Sequence, residues 1–199
     1  LELAGNNGLL TGTTQVNGGT LNVTGSLGSN LVQVNTGATL TSTGTGSVLG
    51  AVTIADGGHL AANSGSSLTL GSLVLNANSN LDVGLGSPAT GGNALIKVNG
   101  NLTLDGTLNV SDIGGFGTGI YSLINYTGQL TDNGLVIGSI PGSVQLGDLQ
   151  VQTSIGSQVN LLVGGANGSV LFWDGTGLVG NGVIQGGNGT WDALSTNWT

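Results

Sequence analysis

Acidic side chains are the groups most able to do chemistry in this sequence, with nine Asp or Glu against one Lys or Arg. Paired carboxylates, or a carboxylate beside a cation, support glycosidase chemistry. Asp82 and Asp105 are 23 positions apart and flank Lys97, so a carbohydrate-active β-protein is one hypothesis. Most of the acids, however, stand beside Gly or Asn in turn-like segments, where Asp serves backbone geometry. The sequence therefore predicts a non-enzymatic protein.

The sequence signals for a bound cofactor or metal ion are also weak. His59 is the single His and there is no Cys, so neither a catalytic triad nor a thiolate metal site is supported. Residues 175–180 match a dinucleotide-binding pattern that a chain with 41 Gly produces by chance. Residues 186–192 approach a calcium-binding nonapeptide once, with Trp191 in the Asp position. We expect no cofactor and no metal, and we expect His59 on a turn surface.

The three tryptophans are the remaining candidates for ligand contact. Trp173, Trp191 and Trp198 all follow residue 170. Exposed indole rings could stack on sugars, whereas buried ones would pack the core or cap the end of a domain. Packing in the core or at the end of a domain is the favoured interpretation, because it is the more common environment of a Trp side chain. Stacking on sugars remains a hypothesis.

Charge and hydropathy exclude several classes of function. The net charge is −8 and Lys97 is the sole Lys or Arg, so the basic footprint that nucleic acids or anionic membranes require is missing. No apolar run approaches the 18 or so residues of a membrane-spanning helix. There is no start Met and no signal peptide, which leads us to expect a piece of a longer chain with no membrane insertion of its own.

Short alternating segments indicate strands. Residues 20–23, 67–70, 101–104 and 107–110 alternate polar and aliphatic side chains between clusters of Gly and Asn. This period of two is typical of half-buried strands, and the good helix formers are scarce. The sequence therefore predicts an all-β protein.

An internal repeat organises these strands. Each copy has an aliphatic residue, usually an Asn, a Gly-rich turn and then a Leu. A repeat of about 19–21 residues suits one turn of a parallel β-helix, in which inward aliphatic residues and corner Asn residues stack from turn to turn. The predicted ladder consists of Leu21, Leu40, Leu60, Leu81, Leu102 and Leu123, with Asn17, Asn35, Asn76 and Asn99 at one corner.

Residues 12–23 resemble the autotransporter-associated β-strand repeat of Gram-negative autotransporter passenger domains. The resemblance continues in order through residues 54–60, 71–75, 81–83 and 98–110, and residues 115–128 are similar to the aromatic-rich closing stretch of that repeat. The resemblance implies a right-handed parallel β-helix, exported unfolded and folded outside the cell. The absence of Cys suits this route, because a periplasmic disulfide would block threading.

The function that the resemblance implies is a structural stalk that folds turn by turn at the cell surface and supports export and display. Its partner would be a C-terminal translocator β-barrel, which this sequence lacks. The alternative is an adhesin or self-association surface that contacts a host surface or other passenger copies. We expect a β-helix unit over residues 1–163, a Gly-rich connector over 164–169 and the start of a further unit over 170–199.

Overall fold

The computed structural model describes residues 1–88 and 94–164, and this part of the chain is built from β-strands. Alternating small polar and aliphatic residues favour extended backbone, since the side chains of a strand point alternately to its two sides. In the described ranges there is no α-helix, only a 3₁₀ turn over Leu146–Asp148, and no helix that could cross a membrane. The strands are β1 (Glu2–Leu3), β2 (Asn6–Asn7), β3 (Thr13–Val16), β4 (Gly19–Val23), β5 (Ser26–Leu27), β6 (Leu31–Val34), β7 (Ala38–Thr41), β8 (Thr45–Ile54), β9 (His59–Asn63), β10 (Ser67–Leu75), β11 (Asn80–Gly86), β12 (Ile96–Val98), β13 (Leu102–Leu104), β14 (Thr107–Gly114), β15 (Gly119–Tyr126), β16 (Leu130–Asp132), β17 (Val136–Ile137), β18 (Leu149–Gln152) and β19 (Gln158–Val163).

These strands form two sheets. The first has seven strands in the order β1-β4-β7-β9-β11-β14-β17, and all of its pairings are parallel. The second has twelve strands and branches at β8 and β10. The first halves of these two long strands pair with β5 and β12, whereas their second halves pair with β6 and β13. The described strands therefore stand in three columns.

The chain returns to each column repeatedly, and we call each return a pass. Register pairings in the first sheet link Leu21, Leu40, Leu60, Leu81, Leu108 and Ile137 in that order. The first three steps of this series have the predicted length, and the two later steps are several positions longer. This all-β stack of parallel strands fits a β-solenoid.

The core lies between the columns and consists of stacked aliphatic side chains. In the second sheet, Leu27, Val48, Leu70 and Val98 are in register from pass to pass and are each 1% exposed or less. A single pass is one strand thick, so its aliphatic groups are covered above and below by the neighbouring passes. Burial of such a side chain contributes about 1.5–3 kcal/mol, and here that contribution depends on the next pass being folded.

Glycine occupies corners where successive passes approach closely. Gly50, Gly71 and Gly100 follow one another at the corner between the two columns of the second sheet. A Cβ built on Gly71 would lie 2.6 Å from the carbonyl oxygen of Gly50, and one on Gly100 would lie 2.6 Å from that of Gly71. Any side chain would therefore collide with the backbone of the pass below. Close stacking therefore requires Gly at these three positions.

The last two strands leave the parallel pattern. β19 pairs antiparallel with both β15 and β18, although we expected a single parallel coil over residues 1–163. Only a short link joins Gln152 to Gln158, and a parallel pairing needs a crossover of about a dozen residues or more. Within the described chain, Ser157 is the one non-Gly residue with positive φ, at 66°, and it makes this tight reversal.

Substitution of Gly71 by Ala tests the close approach at the glycine corner. We expect G71A to lower the free energy of unfolding by about 1–3 kcal/mol, as overpacking does in other cores, because the new methyl group meets the Gly50 carbonyl. Urea unfolding followed by circular dichroism measures the change. Gly18→Ala is the matched control, since a Cβ there meets no atom within 4 Å, and its expected change is below about 0.5 kcal/mol. Equal losses in the two variants would contradict the steric explanation.

Candidate functional site

The first four members of the predicted leucine ladder stand in one column of the first sheet. Leu21 is in register with Leu40, Leu40 with Leu60, and Leu60 with Leu81. All four are 3% exposed or less. They form an apolar spine that positions the outward-facing residues on either side of them.

Leu102 and Leu123 lie outside this column, which corrects the expected ladder. Leu102 pairs with Leu73 in the branch of the second sheet, and Leu123 lies in β15. Leu108 takes the place after Leu81. The predicted interval failed because the chain is longer between β11 and β12 than between β9 and β10, so the same step along the sequence reaches the wrong strand.

The predicted stack of Asn residues at one corner includes fewer members than expected. Asn35 Nδ2 donates to Asn17 Oδ1 at 2.5 Å, which is an amide contact between successive passes. Ala55 stands between Asn35 and Asn76 at this corner and interrupts the ladder. Asn99 follows β12 and lies at a different corner.

The predicted ligand contacts Trp173, Trp191 and Trp198 lie outside the described residues. The same holds for the unit expected over 170–199 and for all of the connector after Gly164. These three tryptophans therefore stay predictions.

A polar cluster on the outer side of the first sheet joins His59, Asp82 and Asn109. His59 Nδ1 lies 2.6 Å from Asp82 Oδ2, and Asn109 Nδ2 donates to Asp82 Oδ1 at 2.9 Å. Asn109 Oδ1 in turn accepts the Ser139 N–H at 3.0 Å. His59 and Asp82 are each about one-third exposed, and exposed pairs of this kind contribute about 0–1 kcal/mol. The cluster links successive passes on the surface.

The residues proposed for carbohydrate cleavage are dispersed. Asp82 lies in β11 of the first sheet and Lys97 in β12 of the second. The Asp105 carboxylate accepts a hydrogen bond from the Gly106 N–H at 2.8 Å. It therefore stabilises the corner between β13 and β14. Within residues 1–88 and 94–164, no group of three or more His, Asp or Glu is placed to hold a metal ion.

A cleft of about 1000 Å³, lined by both polar and apolar groups, opens on the outer side of the second sheet. Its walls come from the turn before β10, the end of β11 and the start of β15, and Lys97 lies among its lining residues. Sequence reasoning missed this cleft because it connects residues from Thr45 to Asn160. The one sequence signal was that Lys97 is the sole Lys or Arg.

Tyr121 anchors one wall of the cleft. Its ring stacks on Phe116 with centroids 5.3 Å apart, and its hydroxyl accepts the Gly117 N–H at 3.0 Å. The hydroxyl proton can go to the carbonyl of Gly117 or of Gly86, at 2.9 and 3.2 Å. Burial raises the pKa of Tyr121 above its ordinary 10.0; the hydrogen bond with Gly117 opposes this shift and the charge of Asp112 adds to it.

The Adhesin BmaC autotransporter of Brucella suis biovar 1 (strain 1330) is 54% identical to this chain over 97 residues. The chain contains an autotransporter-like region. The aligned residues make up 47% of the chain but 3% of that relative, so the chain spans a small fraction of the relative's length. No family model matches the chain, and no solved structure matches it.

Removal of the Tyr121 hydroxyl tests the anchor and its titration. We expect Tyr121→Phe to lower the free energy of unfolding by about 1–2 kcal/mol near neutral pH, since backbone groups of Gly86 and Gly117 lose a partner. A raised folded-state pKa favours the protonated folded form, so wild-type stability is complete below pH 10.0 and falls as the pH rises through the folded-state pKa.

Urea unfolding between pH 7 and 11 measures both effects. Y121F should lose part of the decline above pH 10. An identical alkaline decline in Y121F and the wild type would contradict the assignment to Tyr121.

Proposed function

We propose that this region is a non-enzymatic stalk in the passenger of a secreted autotransporter. It folds pass by pass at the cell surface into a right-handed parallel β-helix and supports export and display. The observation that carries the proposal is the in-register stack, in which Leu21 to Leu81 and their neighbours are buried by the adjoining passes. The autotransporter-like region supports the same assignment.

The stack couples the folding of each pass to that of its neighbour. The backbone groups of β7, for example, pair with β4 on one side and β9 on the other. A lone pass would leave these groups and its aliphatic residues in water, and would still have to offset the entropy of ordering about 20 residues. A pass that folds on an already folded neighbour pairs its backbone groups and buries its aliphatic residues as it forms. The right-handed sense follows the general preference of parallel crossover connections.

This coupling suits export through a narrow pore. Each pass that folds outside the cell buries aliphatic residues and so opposes backward movement of the chain. The proposed partner is a C-terminal translocator β-barrel in the same polypeptide, and the proposed location is the cell surface of a Gram-negative bacterium. With no Cys in the chain, no disulfide can arrest threading in the oxidising periplasm.

An adhesive surface is the second candidate function. It is favoured by the name of the relative, which is an adhesin, and by a row of polar residues on the outer side of the first sheet. Thr20, Thr39, His59, Asn80 and Thr107 are in register along five passes. Such a row could contact a host surface or a second copy of the chain.

Deletion of one complete pass tests the stalk proposal in the full-length chain on its host cell. Removal of residues 41–60 joins Leu40 to Ala61 and keeps the register, because Leu40 and Leu60 are equivalent positions. Removal of residues 51–60 breaks the register within a pass. We expect the first variant to reach the surface at near wild-type level and the second to fall at least about fivefold, by antibody labelling of intact cells. Equal display of both variants would argue against pass-by-pass folding.

Deletion of residues 1–163 separates the two candidate functions. If this region is the export scaffold, display measured on intact cells should collapse. If display persists while adherence or autoaggregation is lost, the scaffold proposal is wrong and the adhesive proposal replaces it. Total protein in the cell extract is the control for expression.

A further inference from the structure

We propose that the cleft around Lys97 binds a saccharide that carries a single carboxylate. The proposal goes beyond the stalk function and gives the adhesive alternative a class of ligand. The cleft volume, about 1000 Å³, lies at the upper end of the range of small-molecule sites. Room for several sugar rings is therefore present.

Strand register places Lys97 in the floor of this cleft. Its neighbours Ile96 and Val98 are buried at 0% and 1% exposure, so alternation turns Lys97 outward. Lys97 is in register with Asn125 on the next strand, and Asn125 with Gln158 on the strand after that. With strands about 4.8 Å apart, the three side chains form a row roughly 10 Å long.

This row presents hydrogen-bond donors to the cleft. Asn125 Oδ1 accepts the Ser122 hydroxyl at 3.3 Å, and Gln158 Oε1 accepts from Asn160 Nδ2 at 3.3 Å. Each oxygen accepts one hydrogen bond, and both amides also carry an NH₂ group that can donate; Lys97 adds an ammonium group that can only donate. Asn160 is itself 2% exposed and is held by Gln152 at 2.8 Å. The donors are therefore pre-positioned, and a carboxylate is the matching acceptor.

The charge distribution limits the ligand to one carboxylate. The ion pair found within residues 1–88 and 94–164 joins His59 to Asp82, so no described carboxylate neutralises Lys97. The chain carries a net charge of −8, which would repel a polyanion along its length. A ligand with one anionic group needs one cation, and acidic groups farther than about 8 Å are largely screened at physiological salt.

The walls of the cleft favour a saccharide over a simple organic acid. Ser66, Ser67 and Ser87 line the walls, and serine hydroxyls can exchange hydrogen bonds with sugar hydroxyls. Ile120, also in the lining, is 44% exposed and offers an apolar surface to the C–H face of a sugar ring. A carboxylate alone would use the floor and leave these walls in water.

Titration of the purified full chain with two matched probes tests the proposal. Sialyllactose carries one carboxylate, and lactose is its neutral counterpart. We expect sialyllactose to bind at least about tenfold more tightly than lactose, because charge-assisted hydrogen bonds are about twice as strong as neutral ones. Lys97→Gln should abolish this preference, and Lys97→Arg should retain it. Equal affinity for the two sugars, no binding of either, or an unchanged preference in K97Q would each overturn the proposal.

A charge-matched pair of variants separates the donor row from the overall charge. Asn125→Asp replaces a donor by an acceptor beside Lys97, whereas Thr53→Asp adds the same charge in the column of β6. We expect N125D to lose sialyllactose binding at least about tenfold and T53D to keep it, with circular dichroism as the check on folding. Equal effects of the two would overturn the donor row. Because binding is measured on purified chain, failure here leaves the export and display experiments above unaffected.

Discussion

Backbone pairing between successive passes is the constraint on which this structure depends. Parallel pairing fixes the separation of neighbouring strands at about 4.8 Å, and this one distance decides which residues fit. Where the chain turns, as at Gly71, a side chain would enter the pass below. Where it runs straight, an aliphatic residue such as Leu70 meets its equivalent, Val48. Glycine-rich corners and aliphatic stacks are thus two results of the same spacing.

The sequence predicted an all-β protein of stacked parallel strands and the first part of the ladder for a physical reason. Passes of nearly equal length bring Leu21, Leu40, Leu60 and Leu81 into one column, and nearly equal spacing is visible without coordinates. The prediction went wrong at Leu102, since both residues 101–104 and residues 107–110 alternate polar and aliphatic side chains. Only the pairing of Leu81 with Leu108 decides between them.

The polar groups were harder to predict than the aliphatic ones. Asn17 and Asn35 form an amide contact, but their corner continues through Ala55, and repetition of Asn in the sequence did not show the break. The contact of His59 with Asp82 crosses 23 positions. The cleft at Lys97 depends on a longer pass and on an antiparallel strand, β19. The sequence repeat predicts neither of them. Such sites form where the spacing departs from the repeat, and there the sequence pattern carries the least information about which residues meet.

The reversal at Ser157 gives the two ends of the second sheet different hydrogen-bonding patterns. At one end, β2 and β3 run parallel to the strands they pair with; at the other, β18 and β19 run against each other. Parallel and antiparallel edges space their donors and acceptors differently. Within the described residues, β15 lies where one pattern changes to the other, since it pairs parallel with β12 and antiparallel with β19. Because β12 and β19 occupy both edges of β15, this strand has no free edge on which a further parallel strand could form.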